Sequence, residues 1–518
     1  MPRGQLHGPT RERRDPHRHS QLRYPVKASW RKNRPFWRRM PHSCVRPVRT
    51  FFWLPPVFAA LGACGAHARG INDEPVDMPT VAHESRFQPV SPAPLASTSA
   101  PPDPALRAPL IAPIENPANL HRFYEALARL DDGSAQSDVR VIQLGDSHTA
   151  ADIGTGAMRK ALQTRFGDGG RGFVALGRPW KTYAQDGLHG KTSREWQPEH
   201  GKFVAGKVSG DGMYGIAGWS LATSRKGALL DSDIDAPTSG IEVAYLASPN
   251  GGSFDVLVDG AKVGRVSTRD HSLKSGFSSF TVPEAVHHVQ VQTVGDGAVR
   301  IFGAALDRSQ NGITFDALGI NGERAINVLD WSDAHFSEQL RHRDPQLVIL
   351  AYGTNEAGDE TSPAAYEATL VELLGRVARA IPSASCLLLG PQDRASRTPE
   401  GWTTMPKVVE IIETQKRVAK AAGCAYFDQF AAMGGPGSMA TWAIESPPRG
   451  RNDHVHLTRA GYIDLGNAFA SAVMKSYDAW RVENGLPLTP TGKVPSEPVT
   501  QPPSPTAPNP LISYPLNL

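Results

Sequence analysis

Residues 140–147 read RVIQLGDS, an apolar run that ends in turn residues, and four later segments repeat this pattern: 315–322 (FDALGING), 346–355 (QLVILAYGTN), 386–392 (CLLLGPQ) and 424–430 (CAYFDQF). Short, continuously apolar runs are typical of strands that are buried on both faces. Helical patterns lie between most of them. This alternation predicts an α/β fold, a three-layer doubly wound parallel sheet whose ligand crevice lies at the carboxyl ends of the strands.

The clearest helical pattern follows the third of these segments. Ser362 is suited to cap the helix and Pro363 to occupy its first position. Apolar residues then recur along one face, namely Tyr366, Leu370, Leu373, Leu374, Val377 and Ile381. A helix with a single apolar stripe is expected to cover one face of the sheet.

Residues 185–312 interrupt the alternation. They are rich in Gly, Ser and Thr, they contain the strand pattern IEVAYL (241–246), and turn signals occur at Asp259-Gly260 and Asp296-Gly297. We expect an all-β sandwich inserted into the α/β domain, with a hairpin at each of these two turns. The α/β domain itself then comprises residues 119–184 and 313–484.

The inserted domain has two interpretations. In the first it binds carbohydrate, and Trp196, Trp219 and Tyr245 stack on sugar rings. In the second it is a structural spacer, and the same aromatic side chains form its core. The sequence leaves both open.

The amino-terminal region has the pattern of an export leader. Residues 51–63 (FFWLPPVFAALGA) are apolar, follow arginines and precede small residues, so residues 1–69 are predicted to be leader, with the signal peptide starting at Met40. Cleavage after the AHA of 66–68 would release a periplasmic protein. Cleavage before Cys64 at a lipobox-like LGAC would leave a lipid-anchored protein on the periplasmic side of the outer membrane.

Two further segments are rich in proline. Residues 70–119 contain 11 prolines and residues 485–518 contain 10, and neither segment has a helical or strand period. We expect a linker over 70–118 and an extended tail over 485–518.

The charge is unevenly distributed along the chain. The formal net charge of +4 divides into +12 for residues 1–49 and −8 for the remainder. Nucleic acid is therefore not an expected partner, because phosphate binding requires a basic surface on the folded part. The four cysteines are too few for a disulfide scaffold and lack the paired spacing of a zinc site.

Polar side chains with catalytic potential follow the predicted strands. The first strand runs into GDSHT (145–149), the second into NG (321–322) and the third into GTNE (353–356), while DHVH (453–456) precedes the last helix. Because the carboxyl ends of parallel strands meet at one edge of a sheet, we expect these four groups to converge there.

This set of residues, in this order, resembles the marker blocks of the SGNH (GDSL-like) hydrolase superfamily. Those markers are a Ser after Gly-Asp, a Gly, an Asn in a Gly-x-Asn turn, and an Asp-x-x-His pair. The resemblance covers residues 119–184 and 313–484. It implies an SGNH-hydrolase-like fold and a serine esterase that uses neither a cofactor nor a metal.

The resemblance implies that Ser147, His456 and Asp453 are the catalytic residues. Ser147 would be the nucleophile, whose hydroxyl needs an adjacent base at neutral pH. His456 would be that base, and Asp453 would fix its tautomer and stabilise the imidazolium. The oxyanion would be bound by the backbone N–H groups of Ser147 and Gly322 and by the Asn355 amide.

Several neighbouring residues have competing interpretations. His148 and His454 could form a metal site with Asp453 and His456, but one imidazole cannot readily be both ligand and base. Asp146 is expected to order the nucleophile turn. Larger side chains near the turns are expected either to line the crevice or to pack at its rim, namely Tyr352, Glu356, Trp402 and Trp442.

Cysteines begin two successive predicted strands, at Cys386 and Cys424. The two strands should lie side by side, and an exported protein could oxidise the pair. Neighbouring strands nevertheless often hold thiols in geometry that is unsuitable for a disulfide. The sequence leaves this pairing open.

Within the superfamily, GDSHT, the GDGGRGF of 167–173, the β-rich insert and the GTNEA of 353–357 look like the periplasmic peptidoglycan O-acetylesterase type. The implied substrate is an O-acetylated glycan of the cell envelope, and we expect a monomer. An acetylxylan-type esterase, a polysaccharide O-acetyltransferase with the same triad, and a non-catalytic glycan-binding envelope protein are the alternatives.

Overall fold

A computed structural model describes residues 110–488 apart from 202, 205, 206, 209 and 400. The predicted leader, both cleavage alternatives including Cys64, most of the predicted linker and the tail beyond 488 lie outside these residues. Within them, no helix combines a length of at least 18 residues with the sustained hydropathy of a membrane span.

The strands of the described residues are, in chain order, β1 (Ile114–Glu115), β2 (Val139–Gly145), β3 (Gly170–Val174), β4 (Leu188–Thr192), β5 (Gln197–His200), β6 (Phe203–Val204), β7 (Lys207–Val208), β8 (Trp219–Thr223), β9 (Leu229–Ala247), β10 (Ser253–Val258), β11 (Ala261–Ser267), β12 (Lys274–Thr293), β13 (Val299–Asp307), β14 (Ile313–Gly319), β15 (Leu347–Ala351), β16 (Ser385–Leu389), β17 (Ala395–Thr398), β18 (Gly401–Thr404) and β19 (Ala425–Phe427).

The α-helices are α1 (His121–Asp131), α2 (Ser147–Ala150), α3 (Gly154–Phe166), α4 (Ala325–Val328), α5 (Asp333–Arg343), α6 (Pro363–Ala380), α7 (Pro406–Ala422), α8 (Gln429–Met433), α9 (Ser438–Ile444) and α10 (Arg459–Glu483). The predicted helix at Ser362 is α6, and the Ser362 side chain accepts a hydrogen bond from the Ala365 N–H as its cap. Two 3-10 helices, Pro117–Leu120 and Glu356–Gly358, complete the set.

A six-stranded sheet forms the centre of the α/β part, in the order β1-β19-β16-β15-β2-β14. All of its strands are parallel except β1, which pairs with β19 in the antiparallel direction. Each of the five apolar segments identified in the sequence overlaps one of the parallel strands. The predicted α/β fold with a parallel sheet is therefore confirmed.

Both faces of this sheet are buried because successive side chains of a strand point to opposite faces. In β15, Leu347 and Ile349 join the apolar cluster that α1, α3 and α10 complete. Val348 and Leu350 join the cluster that α5, α6 and α7 complete. This alternation produces the three layers of the fold.

A second, antiparallel sheet occupies the middle of the chain, in the order β11-β10-β12-β9-β13-β8-β5, with β3 paired to β13 and β4 paired to β9. This one connected sheet is consistent with the expected inserted β domain, whereas its packing as a sandwich stays a prediction. Strand β3 precedes the predicted boundary at 184/185, and it lies beside β14, with the Phe173 N–H donating to the Asp316 carboxylate at 2.7 Å. The antiparallel sheet thereby covers an edge of the parallel sheet through β3.

One of the two predicted hairpins is wrong. Asp259-Gly260 does connect the paired strands β10 and β11, and both residues have positive φ, 52° and 80°. The Asp296-Gly297 turn joins β12 to β13, but these strands do not pair, because β9 lies between them and pairs with both. A local turn signal cannot show that a third strand takes this position.

The aromatic residues considered for sugar binding in the insert are core residues. Trp196, Trp219 and Tyr245 are exposed by only 4%, 1% and 9%, and all belong to the apolar cluster that the insert shares with the parallel sheet. The spacer interpretation accounts for these three side chains.

The two cysteines at the starts of β16 and β19 form a disulfide, Cys386–Cys424. The strands are parallel neighbours with Leu387 opposite Ala425, so the preceding cysteines also lie opposite one another, with Cα atoms 4.9 Å apart. The register therefore supplies the proximity that the sequence left undecided. Near the same edge, Ile114–Glu115 forms β1, so the end of the predicted linker is part of the sheet.

Candidate active site

The register of the parallel sheet brings three loops together. Gly145 at the end of β2 lies opposite Gly319 of β14 on one side and opposite Ala351 of β15 on the other. The residues that follow these three positions must therefore leave the sheet at the same level. They are the GDSHT, NG and GTNE segments of the sequence.

The nucleophile turn is a very short helix capped by its own aspartate. Asp146 precedes α2, and its Oδ1 accepts the His148 N–H at 2.9 Å, which leaves Ser147 as the first helical residue. Gly319 of the neighbouring strand allows this turn to pack closely, because a Cβ there would lie 2.2 Å from the Ala150 nitrogen.

Ser147, His456 and Asp453 are hydrogen-bonded in series. The Ser147 Oγ lies 2.9 Å from His456 Nε2, although the two residues are 309 positions apart in the chain. On the other side of the ring, His456 Nδ1 lies 2.8 Å from Asp453 Oδ2. A carboxylate at Nδ1 favours the tautomer in which Nε2 is free to accept the serine proton.

Asp453 is held as a carboxylate. Partial burial would by itself raise its pKa, but the hydrogen bonds from the His456 ring and from the backbone N–H groups of His456 and Val455 outweigh burial and lower the pKa well below its ordinary value. The two backbone bonds measure 2.9 and 3.0 Å and both reach Oδ1, which leaves Oδ2 for the ring.

Gly322 and Asn355 lie on the two loops beside the nucleophile. Gly322 has φ of +75°, a conformation that glycine adopts without strain. The Asn355 amide donates to the Glu323 carbonyl at 2.9 Å and to Asp146 Oδ2 at 3.3 Å. Among the described residues, no acceptor is hydrogen-bonded to the backbone N–H of Ser147 or of Gly322.

Glu356 connects the loop of Gly322 to the loop of Asn355. Its carboxylate is buried and accepts the Ala325 N–H at 2.8 Å and the Gly353 N–H at 3.0 Å. Burial raises its pKa, and the backbone hydrogen bonds oppose this rise. The sequence left open whether Glu356 lines the crevice or packs at its rim. Its contacts show that it fixes the spacing between the loop of Gly322 and the loop of Asn355.

Asp146 is more than a helix cap. Its side chain is 1% exposed, and burial raises its pKa to about 7, an effect that the backbone N–H of His148 partly counteracts. It also receives the Asn355 amide, so it joins the nucleophile turn to the third loop. The sequence signal for this second role was limited to the position of Asp146 beside the nucleophile.

His148 packs against the ring of His456. Its imidazole stacks on that of His456 with centroids 5.2 Å apart, and its Nδ1 lies 2.9 Å from the Tyr462 hydroxyl. Burial lowers its pKa well below the ordinary value, so the ring is neutral. A cavity of about 30 Å³ lined by His148, Tyr462 and Gln143 lies alongside, large enough for a water molecule.

The four residues of the alternative metal site have other contacts. His148 faces Tyr462, and the His454 ring stacks on Trp402 with centroids 3.8 Å apart. No group of three or more His, Cys, Asp or Glu side chains within the described part of the chain is arranged to hold a metal ion. Of the other large side chains, Tyr352 and Trp442 are core residues, at 2% exposure each.

A serine, a histidine and an aspartate thus lie in hydrogen-bond contact at the carboxyl edge of the parallel sheet. Residues 281–462 match the family model of the GDSL-like lipase/acylhydrolase family. This match supports a carboxylic ester hydrolase. The match includes Gly322, Asn355, Asp453 and His456, whereas Ser147 lies upstream of it, beyond most of the insert.

Solved structures provide the second comparison. A chain described as a peptidoglycan O-acetylesterase in action is similar over 71% of this chain and 99% of its own length, with 22% identity and a TM-score of 0.59. An acetylxylan esterase from Geobacillus stearothermophilus covers 31% of this chain and 73% of its own, with 18% identity and a TM-score of 0.25. A family two carbohydrate esterase from Clostridium thermocellum covers 51% and 95%, with 10% identity and a TM-score of 0.25.

No curated protein sequence matches this chain. The first solved structure therefore shows a shared fold.

Proposed function

We propose that this protein is a serine esterase that removes O-acetyl groups from peptidoglycan. The observation that carries the esterase mechanism is the series of contacts from Ser147 Oγ to His456 Nε2 at 2.9 Å and from His456 Nδ1 to Asp453 Oδ2 at 2.8 Å. The glycan is proposed because the solved structure that resembles this chain over 71% of its residues is described as a peptidoglycan O-acetylesterase.

In the first half of the reaction Ser147 Oγ attacks the acetyl carbonyl. His456 accepts the serine proton at Nε2, and Asp453 stabilises the resulting imidazolium. The proton then passes from His456 to the sugar oxygen as the ester bond breaks, which leaves acetyl-Ser147. In the second half, His456 deprotonates a water whose oxygen attacks the acetyl carbonyl. The bond between Ser147 Oγ and the acetyl carbon then breaks, His456 returns the proton to Ser147 Oγ, and acetic acid is released and ionises to acetate.

The negative oxygen of each tetrahedral intermediate needs hydrogen-bond donors. The backbone N–H groups of Ser147 and Gly322 provide two, and Asn355 provides a third when its amide turns from the longer of its two contacts, the 3.3 Å contact with Asp146. Loss of a single such donor typically costs ~3 to 4 kcal/mol of transition-state stabilisation.

Export to an oxidising compartment is part of the proposal. The Cys386–Cys424 disulfide supports it, because disulfides persist mainly in secreted and periplasmic proteins. The envelope is also where peptidoglycan is found.

Hydrolysis of p-nitrophenyl acetate tests the esterase mechanism. The purified protein should hydrolyse it, and Ser147→Ala should lower kcat by about 10⁴-fold or more because the nucleophile is gone. Ser137→Ala, a change at an exposed serine away from the site, should leave the rate unchanged. A Ser147→Ala variant with full activity would contradict the serine mechanism.

Acetate release tests the substrate. O-acetylated peptidoglycan should release acetate faster than acetylated xylan, and the reverse order would favour a xylan esterase. Mass spectrometry after addition of a glycan acceptor separates hydrolysis from transfer, since acetylated acceptor in place of acetate would identify a transferase.

A further inference from the structure

A small hairpin connects the two loops that hold the active site. Strands β17 and β18 pair with each other between the end of β16 and α7. At the base of the hairpin, the Ala395 N–H donates to the His454 carbonyl at 3.0 Å. Arg394, the preceding residue, donates to the Thr354 carbonyl at 2.7 Å. The hairpin is therefore fixed both to the loop of Asn355 and to the loop of His456.

Trp402 on β18 has an unusual position for a large aromatic side chain. It is 39% exposed, and the other tryptophan, tyrosine and phenylalanine side chains whose burial the structure describes are less exposed. One face of the indole stacks on His454, with centroids 3.8 Å apart and planes inclined by 21°. His454 is only 7% exposed and lies two residues before His456, so the indole is held at the rim beside the catalytic histidine.

The contacts of Trp402 leave part of the ring available to a ligand. Its single ring–ring contact among the described residues is the one with His454. A flat apolar surface of this kind matches the C–H face of a pyranose ring, and an aromatic side chain offers large contact area at small entropic cost. A sugar stacked there would lie next to the position where the Ser147 hydroxyl must meet an acetyl ester.

Arg397 adds a charge to the same face of the hairpin. It lies directly opposite Trp402 in the β17–β18 pairing, and side chains of directly opposed residues project from the same face of an antiparallel pair. Arg397 is exposed. A guanidinium beside a sugar-binding surface suits a carboxylate on the glycan.

We infer that Trp402 and Arg397 form a glycan subsite that binds a sugar ring with a nearby carboxylate, outside the pocket for the acetyl group. This inference rests on the proposed esterase function and deepens it. Peptidoglycan carries carboxylates on its peptides, whereas the xylose backbone of acetylated xylan carries none. The subsite thus gives a physical basis for preferring the cell-wall polymer.

The test compares a substrate that lacks a sugar with one that has it. Trp402→Ala should keep kcat/KM for p-nitrophenyl acetate within about two-fold, while KM for O-acetylated peptidoglycan rises about ten-fold or more. Trp402→Phe retains an aromatic face and should stay within about three-fold of the unmodified protein on both substrates. Val371→Ala removes an exposed apolar side chain from α6 and should leave the kinetic constants for both substrates unchanged.

Arg397→Gln separates the charge from the ring. It should raise KM for O-acetylated peptidoglycan about five-fold at low salt, less at high salt, and leave acetylated xylan unaffected. Arg379→Gln, a surface arginine on α6, is its control.

The possible failures are distinct. Unchanged peptidoglycan KM in Trp402→Ala, with normal p-nitrophenyl acetate hydrolysis, overturns the subsite and leaves the esterase intact. An equal loss on both substrates assigns Trp402 to support of the catalytic loop, and also overturns the subsite. An unmodified protein that cannot hydrolyse p-nitrophenyl acetate overturns the proposed function and the subsite with it.

Discussion

The two carboxylate oxygens of Asp453 have different hydrogen-bond partners. A substitution that replaces one oxygen with a nitrogen can therefore test their roles. Oδ1 accepts two backbone N–H groups and shapes the loop, while Oδ2 accepts the His456 ring. Asp453→Asn keeps an oxygen for the backbone but places an NH₂ against Nδ1. The ring must then carry its proton on Nε2, where it can no longer accept the proton of Ser147.

We therefore expect Asp453→Asn to lower kcat for p-nitrophenyl acetate by ~10³- to 10⁴-fold with little change in KM. The measurement is steady-state kinetics, with circular dichroism to show that the variant is folded. Since the residues act as a unit, combining Asp453→Asn with Ser147→Ala should cost little more than Ser147→Ala alone. A kcat that falls less than ten-fold would contradict a tautomer-fixing role.

At the residue scale, sequence reasoning succeeds where the backbone dictates position. Ser147, Gly322 and Asn355 each follow a parallel strand, so the order of the strands is enough to bring them to one edge. Trp402 could be singled out but not assigned, because its exposure depends on how β17 and β18 pack on His454. The roles of the catalytic residues themselves remain predictions until the kinetics are measured.

At the scale of elements, His335 connects α5 to the antiparallel sheet through a neutral ring. The Gly215 N–H donates to its Nε2 at 3.1 Å, and its Nδ1 lies 3.2 Å from the Ser275 hydroxyl. Burial lowers the His335 pKa to about 4, although Glu338 slightly opposes this shift. Protonation of the ring would put a hydrogen on His335 Nε2. That N–H would then face the Gly215 N–H, which is also a donor, and the hydrogen bond between them would be lost.

The sign of the resulting pH dependence follows from the lowered pKa. The ring binds protons less readily in the folded state than at its ordinary pKa of about 6.5, so its contribution to stability is complete above pH 6.5 and is lost as the pH falls towards 4. The difference amounts to ~3 kcal/mol at most. The melting temperature of the unmodified protein should therefore fall more between pH 7 and pH 4.5 than that of His335→Gln, because a glutamine at this position does not titrate.

His271→Gln, at an exposed histidine, should behave like the unmodified protein. If His335→Gln loses as much melting temperature in acid as the unmodified protein does, His335 is not the group responsible.

The sequence predicts the buried strands of the parallel sheet well, but it does not predict which strands of the antiparallel sheet pair with one another. The continuous apolar runs locate β2, β14, β15, β16 and β19, because a strand covered on both faces needs no polar positions. The 19-residue strand β9 was predicted only over its apolar end, 241–246, since its remaining residues alternate with polar side chains. Its position between β12 and β13 is a long-range pairing that no local pattern encodes.

On the scale of the whole molecule, the antiparallel sheet contacts the segment after Ser147 through a buried ion cluster. Asp152, shortly after α2, is fully buried and accepts hydrogen bonds from Arg171 of β3 and from Arg159 of α3. Burial would raise the Asp152 pKa, but the two guanidinium groups outweigh it and lower the pKa. The antiparallel sheet thus supplies a charge on which the loop after Ser147 depends.

Arg171→Met tests this dependence of the Ser147 turn on the antiparallel sheet. It leaves the buried Asp152 with one cation in place of two, and losing one partner of a buried pair commonly costs ~3 to 5 kcal/mol. We expect an unfolding free energy lower by that order and a reduced kcat. Arg308→Met, which breaks more exposed pairs with Asp168 and Glu284 in the same sheet, should cost about 1 kcal/mol or less and leave kcat unchanged.

The double variant Arg171→Met with Asp152→Asn distinguishes the charge from the packing. Removing the carboxylate's charge should recover part of the stability lost in Arg171→Met, because the remaining cost of that variant is the incompletely compensated anion. Denaturant unfolding gives the free energies, and p-nitrophenyl acetate hydrolysis reports the turn. Strictly additive losses would mean that Arg171 and Asp152 act independently, and the antiparallel sheet would then support the nucleophile turn only through its apolar core.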